Sequence, residues 1–177
     1  MDIDYVKKEI AQKTKMGLPF ILSASVLWFI IFIIFLSNAN IKIKNIFTFY
    51  STGLLFPLSI LLAKILKCQW KVKNNDLNKL ALYLNLAQLL YYPILFISFM
   101  TSPYKMIIFF AIIIGAHLFP YAWLYNTKTY KIIPIIIVIT ILIASLIVKK
   151  LFFIPLIMFI LLTITGLRLY YETRNQI

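Results

Sequence analysis

Only five acidic residues occur among 177 positions: Asp2, Asp4, Glu9, Asp76 and Glu172. None falls in an apolar stretch. Ion-coupled carriers and metal-dependent membrane enzymes usually keep a carboxylate inside the bilayer, where its cost marks a function. With none there, no carboxylate pair exists for acid–base work, and a Ser–His–Asp triad lacks its acid. One histidine and one cysteine cannot build a zinc site without acids, so no metal or other cofactor is expected. The lone Cys68 excludes a disulfide scaffold and reads as an inert reduced thiol. The chain has four glycines and no Gly-rich phosphate cradle. Charged residues make up 13% of the chain, about half the share usual in soluble domains, which excludes a water-soluble globule.

What is abundant is apolar: 63% of residues, with a mean hydropathy of +0.94. A helix needs about 20 apolar residues to cross a hydrocarbon core. Six stretches qualify: residues 17–37, 46–66, 80–100, 106–125, 132–148 and 151–169. The intervening loops are too short to fold alone. The expected fold is all-α, one transmembrane domain over 1–177 made of six helices. Residues 1–16 form a basic, amphipathic N-terminal segment, with Ile3, Val6 and Ile10 on one face and Lys7, Lys8, Lys13 and Lys15 around them. A helix lying on an anionic membrane surface and a charged tail that only fixes orientation are both open.

The formal charge of +13 follows the same topology. Thirteen of the eighteen basic residues fall on the side of the N-terminus and the even-numbered loops. The positive-inside rule places both termini in the cytoplasm. This accounts for the charge without nucleic acid and makes anionic lipid headgroups the first partner. Tyr125, Tyr130 and other aromatics near that face read as an interfacial belt.

Polarity enters the apolar stretches mainly in spans two to four. Asn85, Gln88 and Tyr92 share one face of span three, and His117 and Tyr121 share one face of span four. Counting the helix rise from the cytoplasmic end puts Gln88 and His117 both about 12 Å deep. The joining loop is short, so the two spans are antiparallel neighbours. The expectation is a hydrogen-bonded cluster of Asn85, Gln88, His117 and Tyr121, with Tyr92 on the same face. Interhelical glue and a ligand site are the two readings of this cluster. Pro57, Pro93 and Pro120 interrupt these same spans and free the carbonyls of Gly53, Leu89 and Ala116. With Gly53 and Gly115, they are candidate hinges; kinked helices that simply pack are the other reading.

The run Gly115-Ala-His-Leu-Phe-Pro-Tyr-Ala-Trp-Leu-Tyr125 resembles a signature of a family of small uncharacterised bacterial six-helix membrane proteins. An Asn85-x-x-Gln88-x-x-Tyr91 element and the stretch Thr52–Pro57 are similar to that family too. The resemblance implies a bacterial cytoplasmic membrane and six helices, and it lends no substrate. Two function classes follow. One is binding or transport of a small neutral or lipid-like ligand through the polar cluster of spans two to four. The other is a non-catalytic interaction protein, such as a partner subunit, an immunity-type protein or a sensor, with a protein partner or a second copy. An enzyme acting on lipid, with His117 as base and Tyr91 or Tyr92 as acid, lacks a paired nucleophile, so the residues weigh against catalysis.

Overall fold

A computed structural model describes residues 2–175. All regular structure among them is helical. The N-terminal helix α1 (Ile3–Lys13) is followed by α2 (Leu18–Leu36), α3 (Ile41–Thr52) and α4 (Leu55–Ile65). After a loop come α5 (Leu77–Ala87), α6 (Tyr92–Thr101), α7 (Pro103–His117), α8 (Tyr121–Tyr125), α9 (Lys128–Ile147) and α10 (Phe153–Asn175). Five continuous or gently broken helices are long and apolar enough to cross a membrane: Lys15–Leu36, Leu77–Thr101, Pro103–Tyr125, Lys128–Ile147 and Phe153–Arg174. The α3–α4 pair, bent by 45°, makes a sixth when taken as one crossing.

Several helices begin before their apolar stretches do. Asn40 caps α3, its side chain accepting from the Ile43 amide at 3.0 Å. Thr127 caps α9 by accepting from Tyr130 at 3.1 Å. Such caps satisfy free amides of the first turn, so the polar starts Lys42–Asn45 and Lys128–Lys131 are helical although hydropathy places them outside.

The prolines explain the breaks, and each sits where it does little harm. Pro57 lies in the first turn of α4, Pro93 is the second residue of α6, and Pro120 is the N-cap of α8. The chain breaks just before each one. A tight 3₁₀ turn over Gln88–Tyr91 lets the Tyr92 amide reach the Leu89 carbonyl that Pro93 cannot. The Ala116 carbonyl likewise accepts from Phe119 at 3.1 Å. These two carbonyls, expected free, are therefore re-bonded locally.

Helix α2 is the hub: α10, α4 and α3 pack around it. Its seam with α10 carries a hydroxyl pair, Ser25 Oγ to Thr163 Oγ1 at 2.7 Å. Ser59 and Ala63, both buried, face α2 from α4. On the far side α7 packs on α9. There the candidate hinge Gly115 is a point of close approach: a Cβ would lie 2.5 Å from Ile137 Cγ2 and 3.2 Å from its Cβ. That neighbour is β-branched and stiff. Gly115→Ala is expected to destabilise the α7–α9 seam by about 1–3 kcal/mol. At Gly166 the nearest atom is Leu22 Cδ2, the end of a flexible side chain, at 2.8 Å. Gly166→Ala should cost visibly less, and thermal melts of the two variants in detergent check the order.

The N-terminal segment is an ordered amphipathic helix, which overturns the charged-tail reading. Helix α1 turns its apolar face to the protein, where Val6, Ile10 and Ala11 are buried. Lys15, Met16 and Gly17 all have positive φ, a left-handed turn that swings α2 away from α1. The Asn75 side chain donates to the Val6 carbonyl at 3.0 Å and to Glu9 Oε2 at 2.9 Å. The Gln69 amide donates to the Lys13 carbonyl at 2.8 Å. Lys7 stands 3.5 Å over the Trp123 ring. The helix is thus a floor under the bundle, clamped by the loop between α4 and α5, and not a loose tail.

Candidate functional site

A cavity of about 410 Å³ opens inside this arrangement. Helix α2 forms its back wall, from Pro19 to Ile31. The α3–α4 break contributes Thr52 and Gly53, and α5 with its 3₁₀ turn contributes Asn85 and Gln88. Helices α7 and α8 supply His117 and Tyr121, and α1 closes the floor with Ile10 and Thr14. Helices α4 and α5, consecutive in the chain, make no extensive contact with each other, and both line the cavity.

All five residues singled out from the sequence, Asn85, Gln88, Tyr92, His117 and Tyr121, line this one space. The expected hydrogen bonds between them do not form. Asn85 Nδ2 donates back to the Ala81 carbonyl of its own helix at 2.9 Å. His117 Nδ1 lies 2.7 Å from the Ile114 carbonyl. A carbonyl only accepts, so Nδ1 carries the hydrogen, and in the neutral ring Nε2 is left as an acceptor. Asn85 and His117 each find a carbonyl of their own helix, and Tyr92 pairs with the Thr52 side chain of α3 rather than with the cluster.

Two of the five find none. The Tyr121 hydroxyl is buried without a hydrogen-bond partner among the described residues, in a side chain only 6% exposed. Gln88, 6% exposed, also makes no side-chain hydrogen bond among those residues, but its amide keeps accessible area; the other sealed and unpartnered atom is Asn45 Oδ1 in α3, away from the cavity. A buried polar group left unsatisfied costs about 1–3 kcal/mol. The Tyr121 hydroxyl borders open space, so a guest molecule or water can satisfy it.

Below Tyr121 the rings of Tyr121, Tyr125 and Tyr130 pack together with centroids 5.7–5.9 Å apart. Tyr130 Oη donates to the Met16 carbonyl at 3.0 Å, tying the left-handed turn to α9. Tyr125 and Tyr130 were expected in an interfacial belt; both are buried instead and line the cavity. The spacing of Tyr121 and Tyr125 on one helical face carried that signal. The far end of the cavity is set by Trp28 stacked on Phe110 at 5.2 Å, a pair 82 positions apart in sequence that no local pattern connects. Of the candidate hinges only Gly53 borders the cavity, and Tyr91 does not.

Outside the apolar helices, burial pushes the Cys68 thiol above its ordinary range, with nearby Lys15 opposing. A thiol so placed stays protonated at neutral pH and reacts slowly. No group of three or more His, Cys, Asp or Glu side chains stands close enough to hold a metal among the described residues.

The fold defines a class: an all-α protein whose five or six apolar helices are long enough to cross a membrane, with a part-polar cavity inside. The chain belongs to a family of unknown function, DUF7010, whose model matches residues 3–172. No curated protein and no solved structure matches it.

Proposed function

We propose that this chain is a six-helix protein of a bacterial cytoplasmic membrane, both termini in the cytoplasm, that binds or transports a small neutral or lipid-like ligand in the cavity. The observation that carries the reading is the buried, unpartnered Tyr121 hydroxyl, with the Gln88 amide on the same part-polar cavity wall. A volume of about 410 Å³ falls in the range of small-molecule sites, and ligand pockets are typically apolar with a few convergent polar groups. Helices α4 and α5 line the cavity without packing on each other, and we read the flank between them as the ligand's path from the lipid.

Trp28 makes the reading testable, because it is buried at the cavity wall. In a Trp70→Phe/Trp123→Phe background it is the sole tryptophan. Dibromostearyl alcohol, a neutral amphiphile whose bromines quench indole on contact, should quench Trp28 saturably in phosphatidylcholine discs. Quenching that only rises linearly with membrane loading would overturn the reading. Tyr121→Phe should weaken that binding about five- to thirtyfold while raising the stability of the ligand-free protein by about 1 kcal/mol, since it deletes an orphaned hydroxyl.

A second reading, a non-catalytic interaction protein, has one observation in its favour. In the span Leu77–Thr101 only 11% of the apolar window is buried, the lowest share of the five helices. A stoichiometric partner or a second copy co-purifying on that helix, with no quenching of Trp28, would decide for it.

A further inference from the structure

The cavity changes character along its length. Helix α2 lines it from Pro19 to Ile31, a rise of about 18 Å. At the end near α1 the walls carry Gln69, Lys71 and Lys79. In the middle stand the polar side chains of α5 and α7–α8. At the far end Trp28, Ile31 and Phe110 offer only apolar surface apart from the indole N–H. This is the profile of a ligand with a polar head at one end and a hydrocarbon chain at the other.

The sign of the head follows from the mouth. Two lysines line the cavity and no carboxylate does. Neither lysine enters an ion pair among the described residues, where the one salt bridge joins Lys13 to Glu9. Their placement is not casual, because Asn78 pins the loop that presents them. Its Oδ1 accepts from the Val72 amide at 3.0 Å and its Nδ2 donates to the carbonyls of Val72 and Asn75. Val72 itself is buried. Lys71 precedes one end of this clasp and Lys79 follows the other, so one side chain holds both cations at the same rim. An unpaired lysine pair at the edge of low-dielectric walls attracts an anion more strongly than lysines in open water do. Beside the mouth, Phe20 packs on Phe56 and Trp70 at centroid distances of 5.8 and 6.1 Å, an apolar sill between α2, α4 and the loop that follows α4.

We infer that the ligand is an amphiphile with an anionic headgroup, its head at Lys71 and Lys79 and its alkyl chain running along α2 to the Trp28–Phe110 pair. This deepens the cavity reading above and rests on it. Fatty-acid carboxylates and phosphate monoesters derived from lipids share this chemistry, and the test separates them.

The test uses the full chain with Trp28 as sole tryptophan, in phosphatidylcholine discs, and three probes with one chain: dibromostearyl phosphate, dibromostearate and dibromostearyl alcohol. At least one anionic probe should bind about tenfold more tightly than the alcohol, and which one it is names the headgroup. Lys71→Gln/Lys79→Gln should erase that advantage and leave the alcohol unchanged. Lys71→Arg/Lys79→Arg should keep it. Equal affinity of all three probes, or an advantage untouched by the double glutamine variant, would overturn the headgroup assignment while the cavity reading stands. Saturable quenching by none of the probes would sink both. The glutamine changes are at exposed positions, and the alcohol arm reports directly that the cavity remains intact.

Discussion

Ala24→Phe is expected to abolish ligand binding while leaving the protein as stable as before, or more so. Ala24 stands on α2 and lines the cavity. A phenyl ring there projects into space rather than into a packed wall. Burying an aromatic side chain contributes about 1.5–3 kcal/mol, against a smaller loss from restricting its rotamers. Overpacking penalties arise where no room exists, and a void of about 410 Å³ has room for one ring. The same ring occupies the path of any chain running from the mouth to Trp28. Saturable quenching by dibromostearyl alcohol should therefore weaken at least tenfold, or about 1.4 kcal/mol, with a melting temperature unchanged or raised. Val26 is the control: it lies two residues on, on the exposed face of α2. Val26→Phe should change neither property. Most substitutions that destroy a function also damage the fold. A gain in packing coupled to a loss of binding has no explanation except that the space is used, and unchanged binding in Ala24→Phe would mean that the probe sits on the lipid-facing surface.

The parts of this architecture legible in the sequence are those written in local periodicity and in the cost of polar groups. The apolar stretches mark the helices because no soluble fold can bury so much of that surface. Helix ends were less legible, because Asn40 and Thr127 start helices inside polar segments that hydropathy discards. The face shared by Asn85, Gln88 and Tyr92, and that shared by His117 and Tyr121, were visible from spacing, and all five line one space. Whether they touch was not visible. That depends on the 3₁₀ turn at Gln88–Tyr91 and the break before Pro120, which rotate the side chains away from a regular helix. The prolines mark helices that do break, but the carbonyls of Leu89 and Ala116 are recaptured by the following turn rather than left free. The α1 floor was the largest omission. An amphipathic basic helix carries the same pattern whether its apolar face meets lipid or protein, and its clamp depends on Asn75, more than sixty residues away.

That clamp carries the second large effect. Asn75→Ala should release α1 and open the cavity at the end that α1 closes. Asn75 is buried and all of its polar capacity is engaged toward α1 and the start of α5, with Oδ1 accepting from the Leu77 amide at 3.0 Å. Losing its neutral bonds to the Val6 carbonyl and Leu77 amide costs about 1–3 kcal/mol. Lys13 and Lys15, held by this clamp, are sites for trypsin once α1 swings away. When opening is fast relative to cleavage, the cleavage rate follows the open population. Cutting there should thus accelerate about five- to hundredfold, with the apolar helices untouched. Acidification should act in the same direction. The Glu9 carboxyl is held below its ordinary value of 4.5 first by its hydrogen bond from Lys13 and then by that from Asn75. A carboxyl lowered in the closed state stabilises closure above the ordinary value and loses that contribution as pH falls through the lowered one. The clamp is therefore intact at neutral pH and weakens below about 4.5, and in Asn75→Ala this acid sensitivity should shrink. A helix resting on lipid would behave otherwise: Asn75→Ala would leave cleavage unchanged, and removing anionic lipid from the discs would speed it. Faster cleavage in Asn75→Ala in purely zwitterionic discs places the floor on the protein, and the same variant should then admit acrylamide to Trp28, because the cavity it borders has lost the helix that closes it.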